Sequence, residues 1–592
     1  MRTNRKTEEK KMSMSKNIAR LAVTAGLTAA LSFGGVMAPV TMAFAAEGAT
    51  ATTNSITINK YSNNGIANGN VKYKAYRIFK ADVVDGKDGS GKVVSNIDWA
   101  STEAQNAVLG YLSTVPGSGI GAGSSAQDAA KYLTDHADGT GEMISIKNSN
   151  LFNGLAKKVV ESVDQTGSSF AAGNVFTPQD KDGNALQGYY LFVTDGNTLS
   201  TPEKAKKNTG TSPIFAVVGD ALVTVDEKTS IPTVEKKIKN DDGSDWADKA
   251  DSQMGQNVHY QLTGTVADNV DTFATYYYEF YDELSAGLTA DTSSVEVTVY
   301  ANNSDTRGTK IELPTDAVAY DQTGGKNLLT VKFNDLKTVT ARDSNTPVEI
   351  TASSKVVVTY TASLDPTKAV TVGGQGNPNR VKLIYSNNPM VDGLGESVPD
   401  TVRDYTYALK LIKEDSADAK KLKDVGFTIQ ATTPDEGVAQ GADAQYVQKN
   451  GSLGNAPYEF TTNDQGEIFV KGLDAGTYTV KETHTLDGYN TLPGFTFTIS
   501  TVNEDGIDGL GKVEGQNDLT VFVGKPNMDL VETPDVNNGT VTLTVKNKKG
   551  SGLPLTGLNG VTFTWIAGGA VLCIGVAHLI RSRKQAEESE QE

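Results

Sequence analysis

The stretch Tyr407-Ala408-Leu409-Lys410-Leu411-Ile412-Lys413-Glu414-Asp415 decides how the chain is read. Successive side chains of a strand point to opposite faces. Leu409, Leu411 and Lys413 therefore share a face, and the two leucines make it the inward one. A lysine on a core face is costly unless it is paired or loses its charge. Two later segments supply partners for it. In Tyr478-Thr479-Val480-Lys481-Glu482 the alternation puts Tyr478, Val480 and Glu482 on one face. In Val541-Thr542-Leu543-Thr544-Val545-Lys546-Asn547 it puts Val545 and Asn547 together. Each inward face thus ends in Lys, Glu or Asn.

A similar trio lies upstream. In Val234-Glu235-Lys236-Lys237-Ile238 parity turns Lys236 inward and Lys237 outward. Asp282 shares a face with Phe280 and Leu284, and Asn387 shares one with Val381, Leu383 and Tyr385, with Asn388 as the alternative register. Alternating runs at 295–299, 356–360 and 478–480, with turn residues between them, predict a mainly β chain of tandem immunoglobulin-like β-sandwiches. The first part differs, because 103–112, 126–132 and 155–163 have helical spacing and read as helical insertions on a strand framework.

With 592 residues the chain is too long for one core. Composition shifts divide it into 1–45, 46–228, 229–402, 403–550 and 551–592. The net charge of −17 repels phosphate, which argues against nucleic acid as a partner. The one cysteine, Cys573, leaves no intrachain disulfide to staple these domains. The four histidines (His136, His259, His484 and His578) have no metal-ligand spacing. No nucleophile elbow or phosphate loop is found either, so neither a metal nor a cofactor is expected.

The two ends carry an address. Arg2, Arg5, Lys6, Lys10, Lys11, Lys16 and Arg20 precede an apolar stretch over 21–40 and then Ala43-Phe44-Ala45 before Ala46. That is the order of a secretory signal, cleaved between Ala45 and Ala46. Near the other end, Leu553-Pro554-Leu555-Thr556-Gly557 is followed by a mostly apolar run over 561–580, about long enough to span a bilayer. Arg581, Arg583 and Lys584 then hold the tail on the cytoplasmic side.

Pentapeptide, apolar span and basic tail together resemble the sorting signal of Gram-positive sortase substrates. The resemblance implies cleavage between Thr556 and Gly557 and transfer of the Thr556 carboxyl to an amine. It also implies a protein that spans the membrane only as a precursor and ends on the cell wall or in a pilus. Residues 403–550 resemble the CnaB-type domain of pilins and adhesins. By that resemblance Lys413 and Asn547 form an intramolecular isopeptide bond promoted by Glu482. The central part resembles the corresponding, CnaA-type domain of shaft pilins, which implies a Lys236–Asn387 bond promoted by Asp282. In the first part the candidate is Lys60, but 188–195 lacks the glutamate and Asp220 stands where an asparagine belongs, so no bond is expected there.

The chemistry asks for no cofactor. Burial makes the amine neutral and the acid protonated, and the fold supplies proximity. A covalent link closing a loop of more than about 100 residues stabilises by about 5 kcal/mol if it behaves as a disulfide does. The resemblance as a whole implies a shaft subunit of a covalently polymerised pilus, supporting adhesion to host or neighbouring cells. Its expected partners are pilus-type and housekeeping sortases, further copies through a Thr556–lysine linkage, minor pilins, peptidoglycan and a host ligand. The family's Tyr-Pro-Lys-Asn tetrapeptide is missing, so Lys228 is the candidate intersubunit lysine, with Lys237 and Lys239 as alternatives. A monomeric wall-anchored adhesin is the other reading; a surface enzyme would need a catalytic constellation that the sequence does not offer.

Overall fold

The computed structural model describes residues 53–60, 62–63, 66–67, 71–85, 92–136, 149–199, 210–227, 231–239, 245–302, 306–390, 393–434, 445–500, 520–524, 535–537 and 539–550. Ala45, Ala46, Lys228, the pentapeptide Leu553, Pro554, Leu555, Thr556 and Gly557, and the 561–580 span lie outside them. Among the described residues no helix is long and apolar enough to cross a membrane.

Among the described residues the fold is mainly β, with three helices of ten or more residues near their start. The first unit has strands β1 (Ile56–Asn59), β2 (Lys72–Asp85) and β3 (Lys92–Trp99). Helices α1 (Thr102–Leu112), α2 (Ala126–Asp135) and α3 (Ser149–Ser162) follow. Strands β4 (Gly188–Thr194), β5 (Ile214–Val218) and β6 (Val223–Asp226) close it. The helices start where side chains cap them: Ser101 Oγ accepts from the Ala104 N–H, and Ser125 and Asp128 form a reciprocal capping box. Their apolar faces, including Val108, Leu112, Leu133 and Leu155, pack on Ile78, Phe79 and Leu191 of the sheet β3-β2-β4-β5. The helical insertions expected from spacing are present, and α3 begins six residues before the expected 155–163.

The second unit carries β7 (Val234–Lys239), β8 (Val258–Thr265), β9 (Tyr278–Leu284) and β10 (Leu288–Tyr300). After them come β11 (Leu328–Phe333), β12 (Lys355–Leu364), β13 (Asn377–Ser386) and β14 (Asp400–Tyr405). One sheet runs β7-β8-β12-β10 and the other β14-β13-β9-β11, each extended by short edge strands. Their inner faces meet in one core containing Tyr260, Tyr278, Phe280, Phe333, Val358 and Leu383.

The third unit has β15 (Tyr407–Asp415), β16 (Gly426–Pro434), β17 (Glu467–Leu473), β18 (Gly476–His484), β19 (Phe495–Ser500) and β20 (Thr540–Asn547). The first and last of these lie side by side and parallel in the sheet β17-β15-β20. The register pairs Lys413 with Val545 and Asp415 with Asn547. The second sheet, built on β16-β18-β19, closes over Leu409, Leu411, Val541 and Leu543.

The second and third units are joined at Thr406 and also by a side tie. Residues 253–254 of the second unit reach into the third. There the Met254 N–H donates to the Gly472 carbonyl at 2.9 Å. Gln253 Nε2 donates to the Gly451 carbonyl, and Gln253 Oε1 accepts from the Asp474 N–H and from the Tyr478 hydroxyl, each at 3.1 Å. Gly472 has φ +90°, and a Cβ there would lie 2.6 Å from the Met254 side chain. The backbone conformation and the close approach both call for glycine.

Candidate functional site

Lys236 and Lys413 are the two lysines that are buried among the described residues. Each lies where strand alternation on β7 and β15 turns it inward, and each is fully covered. Desolvation favours the neutral amine. Burial pulls both down to about 8, against the pull of the neighbouring carboxylates to raise them.

In the third unit three strands bring one side chain each. Lys413 Nζ donates to Glu482 Oε2 at 3.1 Å and to Asn547 Oδ1 at 2.5 Å. Asn547 Nδ2 donates to Glu482 Oε1 at 2.8 Å. Glu482 therefore touches both the amine and the amide, while its Oε2 also takes the Leu492 N–H at 3.0 Å. Phe427 roofs the amine, its ring centroid 5.4 Å from Nζ. The structure brings together all three residues that strand parity singled out.

In the second unit Lys236 Nζ lies 2.5 and 2.7 Å from the two oxygens of Asp282. Tyr260 and Tyr360, stacked on each other, stand beside it with ring centroids 5.4 and 5.5 Å from Nζ. Desolvation raises the Asp282 carboxyl above its ordinary value, although Lys236 opposes the shift. Both partners are thus pushed toward their neutral forms.

The amide beside this pair is not the expected one. Asn387 lies just past the far end of β13, roughly 27 Å along the strand from the start that Asn379 occupies. Its backbone carbonyl accepts from the Gly210 N–H of the first unit, so its place is at the junction of the first two units. Asn388, the alternative register, caps its own turn through Met390 N–H. Asn379 is fully buried near Asp282, which is register partner to Val381 on the same strand. Asn379 Nδ2 donates to the Tyr360 hydroxyl at 2.7 Å. That hydroxyl accepts from Lys236 Nζ at 3.1 Å and donates to Asp282 Oδ2 at 2.6 Å. The physical reason is strand direction. β13 runs antiparallel to β9, so its first residues, not its last, come level with Asp282.

Asp415 also escaped sequence reading. Paired with Asn547 across β15 and β20, it accepts from the Tyr489 hydroxyl at 2.7 Å and from Lys549 Nζ at 3.1 Å. The Ala417 N–H and these partners hold it down to about 2.

In the first unit Lys60 is exposed, and Asp220 is held at φ 56° where it accepts from the Asp85 N–H. Of the alternative intersubunit lysines, Lys237 pairs with Asp248 at 2.7 Å and Lys239 Nζ lies 5.9 Å from the Trp246 ring centroid. No cluster of three metal-ligating side chains is found among the described residues.

Residues 407–512 match the family model described as SpaA, prealbumin-like fold domain, so the third unit carries that domain. No curated protein matches the chain. Among solved structures the chain is similar to the T6 backbone pilin of serotype M6 Streptococcus pyogenes. The two share 16% identity over 86% of this chain and 100% of that one, with a TM-score of 0.46. It is also similar to the full-length major pilin SpaD from Corynebacterium diphtheriae, at 16% identity over 84% and 98%, TM-score 0.40. A third is BcpA, the major pilin subunit of Bacillus cereus, at 15% identity over 85% and 100%, TM-score 0.34.

Proposed function

We propose that the chain is the shaft subunit of a covalently polymerised, wall-anchored pilus whose second and third units weld themselves with Lys236–Asn379 and Lys413–Asn547 amide bonds. The observation that carries the reading is the pair of buried lysines, each set against a carboxyl group and within one hydroxyl's breadth, or directly in reach, of a buried asparagine amide. Such a site has little other use. A buried ion pair alone is weak support for stability, and both lysines are fully buried, with no exposed amine to meet a substrate.

The neutral amine of each lysine attacks the asparagine Cγ, the carboxyl group shuttles protons, and ammonia leaves. Glu482 serves the third unit and Asp282 the second. The self-reaction turns over once, so the chain is a structural protein and a sortase substrate rather than an enzyme. The exported, surface-anchored setting and the division into 46–228, 229–402 and 403–550 belong to the same reading. So do the Thr556–lysine linkage with Lys228 as acceptor, and attachment to minor pilins and peptidoglycan.

Intact mass of the mature chain tests the welding: two bonds remove two ammonia masses, and a full mass would refute both. Expression in a host with the cognate sortases tests polymerisation. A shaft subunit gives a ladder of multimers that survives boiling in detergent, and Lys228→Ala abolishes it. A single anchored band would instead identify a monomeric adhesin.

A further inference from the structure

The two clusters are built differently at one point, and the difference assigns a role to a residue outside either trio. In the third unit Glu482 reaches both reacting groups, with Oε2 on the Lys413 amine and Oε1 on the Asn547 amide nitrogen. In the second unit the acid is one methylene shorter, and Asp282 turns both oxygens to Lys236. Its connection to the Asn379 amide runs through the Tyr360 hydroxyl, which contacts Asp282 at 2.6 Å, Asn379 Nδ2 at 2.7 Å and Lys236 Nζ at 3.1 Å. Tyr360 is fixed there by β12, whose alternation buries Val356, Val358, Tyr360 and Ala362 in a row, and by its stack on Tyr260. Asn379 Oδ1 accepts no hydrogen bond from the described residues. Among them the polar group that touches the side-chain amide of Asn379 is this hydroxyl, and a half-turn of the amide would set Oδ1 on it instead.

We propose that Tyr360 is a catalytic residue of the second unit's self-reaction, passing the acid's proton to the nitrogen that leaves. The proposal rests on the amide-bond reading given above. Lys236 Nζ, as the neutral amine, forms a bond to Asn379 Cγ and gives one proton to Asp282. Asp282 gives its proton to the Tyr360 oxygen while Tyr360 gives its own to Asn379 Nδ2. The Cγ–Nδ2 bond breaks, the carbonyl re-forms, and ammonia leaves with three hydrogens. Asp282 and Tyr360 end as they began, and no oxidant or reductant enters.

The test follows the full chain after cell-free synthesis, measuring the Lys236–Asn379 cross-linked peptide by mass spectrometry with the Lys413–Asn547 peptide as an internal control. Tyr360→Phe is expected to slow the second unit's bond about a hundredfold and to leave the third unit's bond unchanged. Adding Asp282→Glu to Tyr360→Phe lengthens the acid to match Glu482 and is expected to restore the bond, which a purely structural tyrosine would not allow. Difluorotyrosine at position 360 keeps the packing and lowers the hydroxyl's proton affinity. It is expected to change the plateau rate of the second unit's bond while the limb set by Lys236 stays in place, and it serves even where the phenylalanine variant folds poorly. Wild-type speed in Tyr360→Phe, or an unchanged plateau rate with difluorotyrosine, overturns the role of Tyr360. Absence of the Lys236–Asn379 peptide from the wild type would instead overturn the amide-bond reading itself.

Discussion

Asp282 and Asn379 sit on the inward faces of two antiparallel neighbours, β9 and β13, offset by two positions in register. That offset, and not sequence distance from the last strand, is why Asn379 and not Asn387 joins the Lys236 cluster, through the Tyr360 hydroxyl. Asn379→Ala is therefore expected to restore one ammonia mass to the chain, and Asn387→Ala is expected to restore none. Peptide mapping of the two variants checks both outcomes; a deficit lost with Asn387 would contradict the geometry.

Removing one partner of a buried pair should hurt more than the bond alone. On the proposed amide-bond reading, Lys413→Ala forfeits a link whose closed loop spans 134 residues, worth about 5 kcal/mol on the disulfide analogy, while the buried Glu482 keeps the Leu492 N–H and the Asn547 amide as donors. Glu482→Ala loses the same link and also strands the Lys413 amine in the core, adding a penalty of about 3–5 kcal/mol. The order of thermal midpoints, measured by calorimetry, should be wild type, then Lys413→Ala, then Glu482→Ala.

The pH dependence expected of the second unit's proposed reaction follows from one shared proton. The reactive form, neutral amine with protonated acid, carries the same proton count as the ion pair, so its share is constant while the pair holds one proton. Above about 8, where burial has set Lys236, the pair loses that proton and the rate falls. On the acid side the rate falls once Asp282, raised by burial, and Lys236 are both protonated. Asp400 also favours the charged amine, and Tyr260 and Tyr360 stay neutral throughout because burial raises them well above their ordinary value. A flat-topped profile with its alkaline limb near 8 is expected in a timed synthesis series; a rate that keeps climbing past 10 would show that the acid plays no part.

Asp415 gives the third unit an acid limit. Its folded value of about 2 lies below the ordinary 3.8, so its contribution is complete above 3.8 and fades as pH falls through 2. The thermal midpoint of the wild type should drop across that window, and Asp415→Asn should flatten the drop. Calorimetry between pH 5 and 2 checks it.

Much of this was legible in the sequence, for a physical reason. Period-two alternation states which face a residue occupies, and it put Lys236, Asp282, Lys413, Glu482 and Asn547 inward, where the structure has them. Alternation is silent about strand direction. Asn379 and Asn387 have the same parity, and choosing between them required knowing that β13 runs antiparallel to β9, whereas β20 runs parallel to β15. Tyr360 gave no signal, because an inward tyrosine on a strand is ordinary packing until its hydroxyl is placed. Asp415 was hidden likewise, since Tyr489 and Lys549 approach it only once the loops close. The first turn of α3 carries Leu151 and Phe152, which continue the apolar spacing to Leu155 and Ala156, but the intervening Asn150, Asn153 and Gly154 read as a break.

The anchoring of Gln253 and Met254 in the third unit has a consequence for how the chain bends. A lone peptide connection at Thr406 would behave as a swivel. Four hydrogen bonds off to one side of it give the joint a lever arm, so any tilt between the two units must first stretch contacts to Gly451, Gly472, Asp474 and Tyr478. Small deflections are therefore resisted in a definite direction, and this half of the molecule flexes as a strut and not as two beads on a string.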